Sequence, residues 1–192
     1  MNLPTKITML RIILLPIIIF FYLATFVPFG KLYALILFII CILTDFFDGY
    51  LARKLNMTTT LGAFLDAIAD KIVNLSMLVL VLCIGSANQI VGVLSFIIIL
   101  CRELTISALR QLAASKNVII KADMLGKIKT TIQFLTIALF ILSAFLIESF
   151  SLTATFKSIL DATCYTMLGL SVAITIVSGV NYLVQNRHVF KS

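Results

Sequence analysis

Two adjoining stretches, Asp45-Phe46-Phe47-Asp48-Gly49-Tyr50-Leu51-Ala52-Arg53 and Gly62-Ala63-Phe64-Leu65-Asp66-Ala67-Ile68-Ala69-Asp70, hold four of the chain's eight acidic residues within 26 positions. All four aspartates lie inside or at the ends of apolar segments. An ionised carboxylate at mid-membrane costs roughly 2.5–3.5 kcal/mol on insertion scales, so four without compensation would cost about 10 kcal/mol. They require a shared cation.

At about 100° per residue, Asp45, Asp48, Gly49 and Ala52 fall on one helical stripe, and Gly62, Asp66 and Asp70 on another. The short 54–61 connection makes the two helices antiparallel neighbours, with Arg53 and Gly62 at the same membrane surface. At about 1.5 Å per residue, Asp48 and Asp66 then lie roughly 6–8 Å deep and Asp45 and Asp70 roughly 12 Å deep, so the carboxylates pair by depth. Two layers of oxygen ligands, with no nearby His or Cys, suit two hard divalent cations, Mg2+ or Mn2+, and not zinc. Such a two-metal clamp stabilises the attacking and leaving oxygens of a phosphoryl-type displacement. Gly49, Ala52 and Gly62 leave room for a ligand against the backbone, and Arg53 can meet a phosphate. Taken singly, these carboxylates would read as charges snorkelling to water or as an ion pathway. Four in register with small residues favour the clamp.

The rest of the chain agrees with a membrane setting. Of 192 residues 61% are hydrophobic and 12% charged, and the mean hydropathy is +1.17, which excludes a water-soluble globular domain. The apolar segments predict an all-α protein with six transmembrane helices at about 8–28, 33–54, 62–84, 88–110, 125–148 and 160–184, forming a single catalytic domain over 1–192. Met1 to Thr8 is expected along the interface, and a Ser/Thr-rich loop near 149–158. The N-terminal apolar run carries Arg11 and no small-residue cleavage pattern, so it is expected to stay in the mature protein. Cys41, Cys83, Cys101 and Cys164 all lie in apolar stretches, without disulfide or thiolate-metal spacing.

Placing both termini and the second and fourth loops in the cytoplasm gathers Lys6, Arg11, Arg53, Lys54, Arg110, Lys127, Lys129 and Arg187 there, and leaves Lys31 and Lys157 opposite. The formal charge of +7 is thereby assigned to topology and anionic head groups of the phospholipid bilayer; no nucleic acid is expected as a partner. No internal repeat supports an inverted-repeat transporter.

The pattern Asp45-x2-Asp48-Gly49-x2-Ala52-Arg53-x8-Gly62-x3-Asp66-x3-Asp70 resembles the signature of the CDP-alcohol phosphotransferase family at every specified position. The resemblance implies a six-helix membrane enzyme, a homodimer, that transfers a substituted phosphate from a CDP-linked donor to an acceptor hydroxyl and releases CMP. It implies that Asp45, Asp48, Asp66 and Asp70 hold two divalent cations, with Asp66 and Asp70 catalytic. Asp70 would be the base, or, because a metal-bound carboxylate is a weaker base, the ligand that orients the hydroxyl. Gly49, Ala52 and Gly62 would border the nucleotide, Arg53 would contact its diphosphate, and Asn2 and Thr5 could add polar contacts. Ala67 departs from the family, which often has proline there; this changes local helix geometry and removes no ligand.

Outside the signature, Asn2-Leu3-Pro4-Thr5 with Thr8 and Arg11, Gly62 to Lys71, Arg102-Glu103, Ile106 to Arg110 and Gly126 to Thr131 resemble those members that take CDP-diacylglycerol as donor and glycerol 3-phosphate as acceptor. Arg110, Lys127 and Lys129, at neighbouring helix ends, could converge on the acceptor's phosphate, although positive-inside topology accounts for them equally well. Lys127 and Lys129, two apart, should not share one face unless the helix begins between them. Arg102 and Glu103 lie too deep for a topology signal, which leaves a structural pair, or a phosphate contact by Arg102 ordered through Glu103. The remaining alternatives are another acceptor, such as inositol phosphate, and a divalent-cation transporter. The latter would need a polar path through the outer leaflet, where 32–44 and 77–84 are nearly all apolar.

Overall fold

The computed structural model describes residues 3–54, 60–85, 88–116 and 124–187, with backbone alone at 3–7, 45–54, 60–64 and 66. The apolar segments become six α-helices: α1 (Leu3–Leu23), α2 (Gly30–Lys54), α3 (Thr60–Leu78), α4 (Gln89–Ser115), α5 (Met124–Ser149) and α6 (Ala154–Gln185). Helix α3 continues into a π-helical stretch, Val79–Ile84. Over the described residues, Ala67–Ile84, Gln89–Ser115, Met124–Ser149 and Ala154–Gln185 are long and apolar enough to cross a membrane; Thr8–Leu23 and Gly30–Thr44 are shorter apolar helices. Among the described residues the protein is all-helical, with the six helices of a membrane protein.

Packing follows from what hydrocarbon demands. Large apolar side chains such as Ile13, Phe20, Ile90, Leu104 and Val180 face outward, as lipid-covered surfaces require, while Ile18, Phe38, Met77, Ile99, Ile137 and Leu168 close a common core. Helix α1 packs on α2 and α3, α2 on α5, and α6 on both α4 and α5; α3 meets α5 along a narrow strip. Many hydroxyls bond back to their own helix: Thr44 donates to the Cys41 carbonyl at 2.8 Å, Thr105 to Cys101 at 2.7 Å, Thr136 to Ile132 at 2.8 Å and Thr175 to Ser171 at 2.7 Å.

Several boundaries differ from the sequence expectation, each for a local reason. Helix α1 begins by Leu3 and runs on without a break, so Leu3 to Thr8 is not a separate interfacial piece. It stops at Leu23, before the expected 28, because a tight reversal follows: Phe29 takes φ 58°, and a Cβ on Gly30 would stand 2.6 Å from the Phe21 carbonyl oxygen. Helix α6 starts at Ala154 because Thr153 caps it, its hydroxyl accepting from the Phe156 N–H at 3.4 Å; the expected 149–158 loop is therefore shorter. The π stretch, unanticipated, lies where α4 approaches most closely: a Cβ on Gly92 would fall 1.9 Å from the Leu82 carbonyl oxygen.

The two ends of the bundle differ in chemistry. Around Lys31, which pairs with Glu148 at 2.9 Å and lies 5.8 Å from the Tyr22 ring centre, aromatic rings cluster: Phe21 with Tyr33, and Phe145 with both Phe29 and Phe150. The opposite end carries the aspartate signature and most of the basic residues.

Candidate active site

The signature occupies continuous helix on both sides of the second connection: the backbone is helical through Lys54 and again from Thr60, as the i, i+3, i+4, i+7 and i, i+4, i+8 stripes need. The side chains of Asp45, Asp48, Arg53, Asp66 and Thr5, and all of Asn2, lie outside the described residues, as do the side-chain surroundings of Gly49, Ala52 and Gly62. The expected pairing of carboxylates by depth rests on these positions.

Asp70 is the described member of the four. Its side chain is 47% exposed, and its Oδ1 accepts from Arg11 Nη1 at 2.6 Å, while the Arg11 side chain is 2% exposed. Burial of the guanidinium and exposure of the carboxylate give the pair a direction: α1 supplies a buried cation, and the carboxylate it anchors lies half-exposed at the protein surface. A half-exposed carboxylate one helical turn beyond Asp66 fits a hard cation's demand for oxygen ligands with access to substrate. In sequence, Arg11 counts among the topology residues and falls in the N-terminal stretch that resembles the family, but neither names its partner; the contact with Asp70 does.

A second charged cluster joins α4, α5 and α6. Glu103 accepts from Arg102 Nη1 at 3.2 Å and from Lys129 Nζ, and all three side chains are largely enclosed. Arg102 also donates to the Ser178 hydroxyl at 3.0 Å. It lies in a slot made by missing side chains, since a Cβ on Gly179 would come within 2.9 Å of its Cγ and one on Gly126 within 4.0 Å of its Nη2. Lys127, by contrast, is exposed, so the two lysines occupy different faces as their spacing requires. Arg110, exposed, donates through Nε to the Tyr182 hydroxyl at 3.0 Å and holds its guanidinium 5.4 Å from that ring's centre. Of the expected acceptor residues, Arg102 and Lys129 are thus brought together by Glu103, whereas Arg110 and Lys127 stand at the surface.

The two clusters are connected by a pair that sequence reading passed over. Asn74 Nδ2 on α3 donates to Gln133 Oε1 on α5 at 3.1 Å, both side chains buried. Asn74 follows Asp70 by one turn and Gln133 follows Lys129 by one turn, a relation visible in the i+4 spacing once the two helices are known to touch.

Residues 1–180 match the profile of the CDP-alcohol phosphatidyltransferase family. Among curated proteins, the chain is similar to the CDP-diacylglycerol–glycerol-3-phosphate 3-phosphatidyltransferase of Wigglesworthia glossinidia brevipalpis, 41% identical over 71% of this chain and 75% of that protein. It is likewise 35% identical to the Bacillus subtilis protein of that name over 100% of this chain and 98% of that protein. The Escherichia coli K12 protein of that name is 37% identical over 71% of this chain and 75% of its own length.

Proposed function

We propose, because the chain belongs to the CDP-alcohol phosphatidyltransferase family, that it transfers the phosphatidyl group of CDP-diacylglycerol to sn-glycerol 3-phosphate and releases CMP. The observation that carries the reading is the joint presence of the complete aspartate signature and an alignment with a transferase of that name over essentially both full lengths. The whole chain, 1–192, acts as one catalytic domain in the cell membrane, with both termini and the site toward the cytoplasm, and as the homodimer the family resemblance implies. The concentration of basic residues at the signature end supports that orientation.

Asp45, Asp48, Asp66 and Asp70 would hold two divalent cations, Mg2+ or Mn2+, which when bound neutralise the donor's diphosphate and the attacking oxygen. Gly49, Ala52 and Gly62 border the nucleotide and Arg53 contacts its diphosphate, with Asn2 and Thr5 adding polar contacts. Asp70, anchored by Arg11, takes or directs the proton of the acceptor hydroxyl. That oxygen attacks the phosphorus bearing the diacylglycerol, a new P–O bond forms, and the bond from this phosphorus to the oxygen of CMP breaks. Arg110 and Lys127 meet the acceptor's phosphate from the surface, and Arg102 and Lys129 supply a fixed positive field behind it, held in place by Glu103.

The test is CMP release by the purified protein in detergent with CDP-diacylglycerol, comparing glycerol 3-phosphate, inositol phosphate, serine and no acceptor, each with Mg2+, Mn2+ or chelator. Release that needs metal and glycerol 3-phosphate is expected. Release with a different acceptor overturns the acceptor assignment, and no release with any acceptor overturns the transfer reaction and returns the carboxylates to cation transport.

A further inference from the structure

The buried amide pair between α3 and α5 is poorly explained as a source of stability. Among the described residues, Asn74 Oδ1 and Gln133 Nε2 have no hydrogen-bond partner, so half of the pair's polar side-chain atoms find no match there. Two apolar side chains of similar shape would pack there without that cost. A polar contact kept under such conditions specifies geometry, as a single buried amide does when it fixes the register of paired helices.

The geometry in question is the distance between the two charged clusters. Helices α3 and α5 run in the same direction, because α4 returns between them, so Asp70 and Lys129 both lie one turn, about 5.4 Å, to the same side of the Asn74–Gln133 bond. Most of the packing of α3 is on α1, and most of that of α5 is on α2 and α6. The amide bond therefore ties two helices that are otherwise positioned by different neighbours. We infer that Asn74 and Gln133 are positioning residues that set the separation between the carboxylate handling the acceptor's hydroxyl and the cations handling its phosphate. This inference rests on the proposed transfer reaction.

The experiment compares the parent protein with three changes: the apolar pair Asn74→Leu with Gln133→Met, the half-swap Asn74→Gln, and the full swap Asn74→Gln with Gln133→Asn, which keeps the summed side-chain length. Thermal unfolding in detergent, with and without glycerol 3-phosphate, reports folding and acceptor binding; CMP release reports kcat and KM for each substrate. The apolar pair is expected to unfold within a few degrees of the parent and to keep its KM for both substrates within about threefold. Its kcat should fall about 10- to 100-fold, the usual cost of misplacing bound reactants by an ångström. The full swap should recover most of the kcat and the half-swap should not. An apolar pair with kcat within about twofold of the parent overturns the inference. So does a loss that the full swap fails to rescue, and this comparison still decides the matter if the apolar pair does not fold. A parent protein that releases no CMP with any acceptor overturns the transfer reaction, and the inference falls with it.

Discussion

Arg11 with Asp70, and Lys129 and Arg102 with Glu103, are both cations withdrawn from water and matched to a carboxylate, yet the carboxylates are placed differently. The Asp70 side chain is 47% exposed, that of Glu103 15%. A carboxylate at the protein surface keeps a side free for another ligand, whereas an enclosed one serving two cations is part of the framework. On the proposed mechanism, burial of the anion, and not its presence in an ion pair, would separate the reacting Asp70 from the supporting Glu103.

The largest expected effect lies on the open side. Asp70→Asn should lower CMP release about 10²- to 10⁴-fold while leaving the unfolding temperature near that of the parent; retention of normal turnover would make Asp70 a supporting residue like Glu103. On the enclosed side the effect should be on folding. Glu103→Gln strands two buried cations and should cost about 3–5 kcal/mol in detergent unfolding, whereas Lys129→Met leaves the Arg102–Glu103 pair standing and should cost clearly less. Equal losses would mean that Glu103 does not serve both cations. Between these, Arg11→Met removes a buried guanidinium from its bond to Asp70, and on the proposed mechanism turnover, read as kcat for CMP release, should fall about tenfold through lost orientation of that carboxylate. The last effect is that of Gly179→Ala: its Cβ would stand 2.9 Å from Cγ of Arg102, near the root of a side chain held by Glu103 and Ser178, so a cost of about 1–3 kcal/mol by thermal unfolding is expected.

The helix period made one part of this molecule readable in advance. Asp45, Asp48, Asp66 and Asp70 share stripes with Gly49, Ala52 and Gly62 because spacing along a helix is direction in space, and the same rule separated Lys127 from Lys129. What stayed hidden was pairing across the bundle. Arg11 with Asp70 and Asn74 with Gln133 are each 59 residues apart, and no local period reports such contacts. A cation near the end of a span, such as Arg11, serves as a topology signal equally well. The π stretch at Val79–Ile84 leaves the run of apolar residues unbroken, so composition gives no sign of it. The early start of α6 was obscured because Ser and Thr suit loops and helix caps alike.

The hydroxyls that bond back to their own helices bear on how the protein is made. A span whose Thr and Ser side chains are satisfied internally can enter the bilayer before its neighbours have been synthesised, so Thr105, Thr136 and Thr175 do not wait for partners. Arg102 and Glu103 travel together in α4 as a neutral pair and gain Lys129 when α5 emerges. The bond between Arg11 and Asp70 joins spans made at different times, since α3 follows α1 by two spans. This contact between the first and third helices therefore forms only after α3 has been made, so the end that carries the signature is completed later than the spans that satisfy their own hydroxyls.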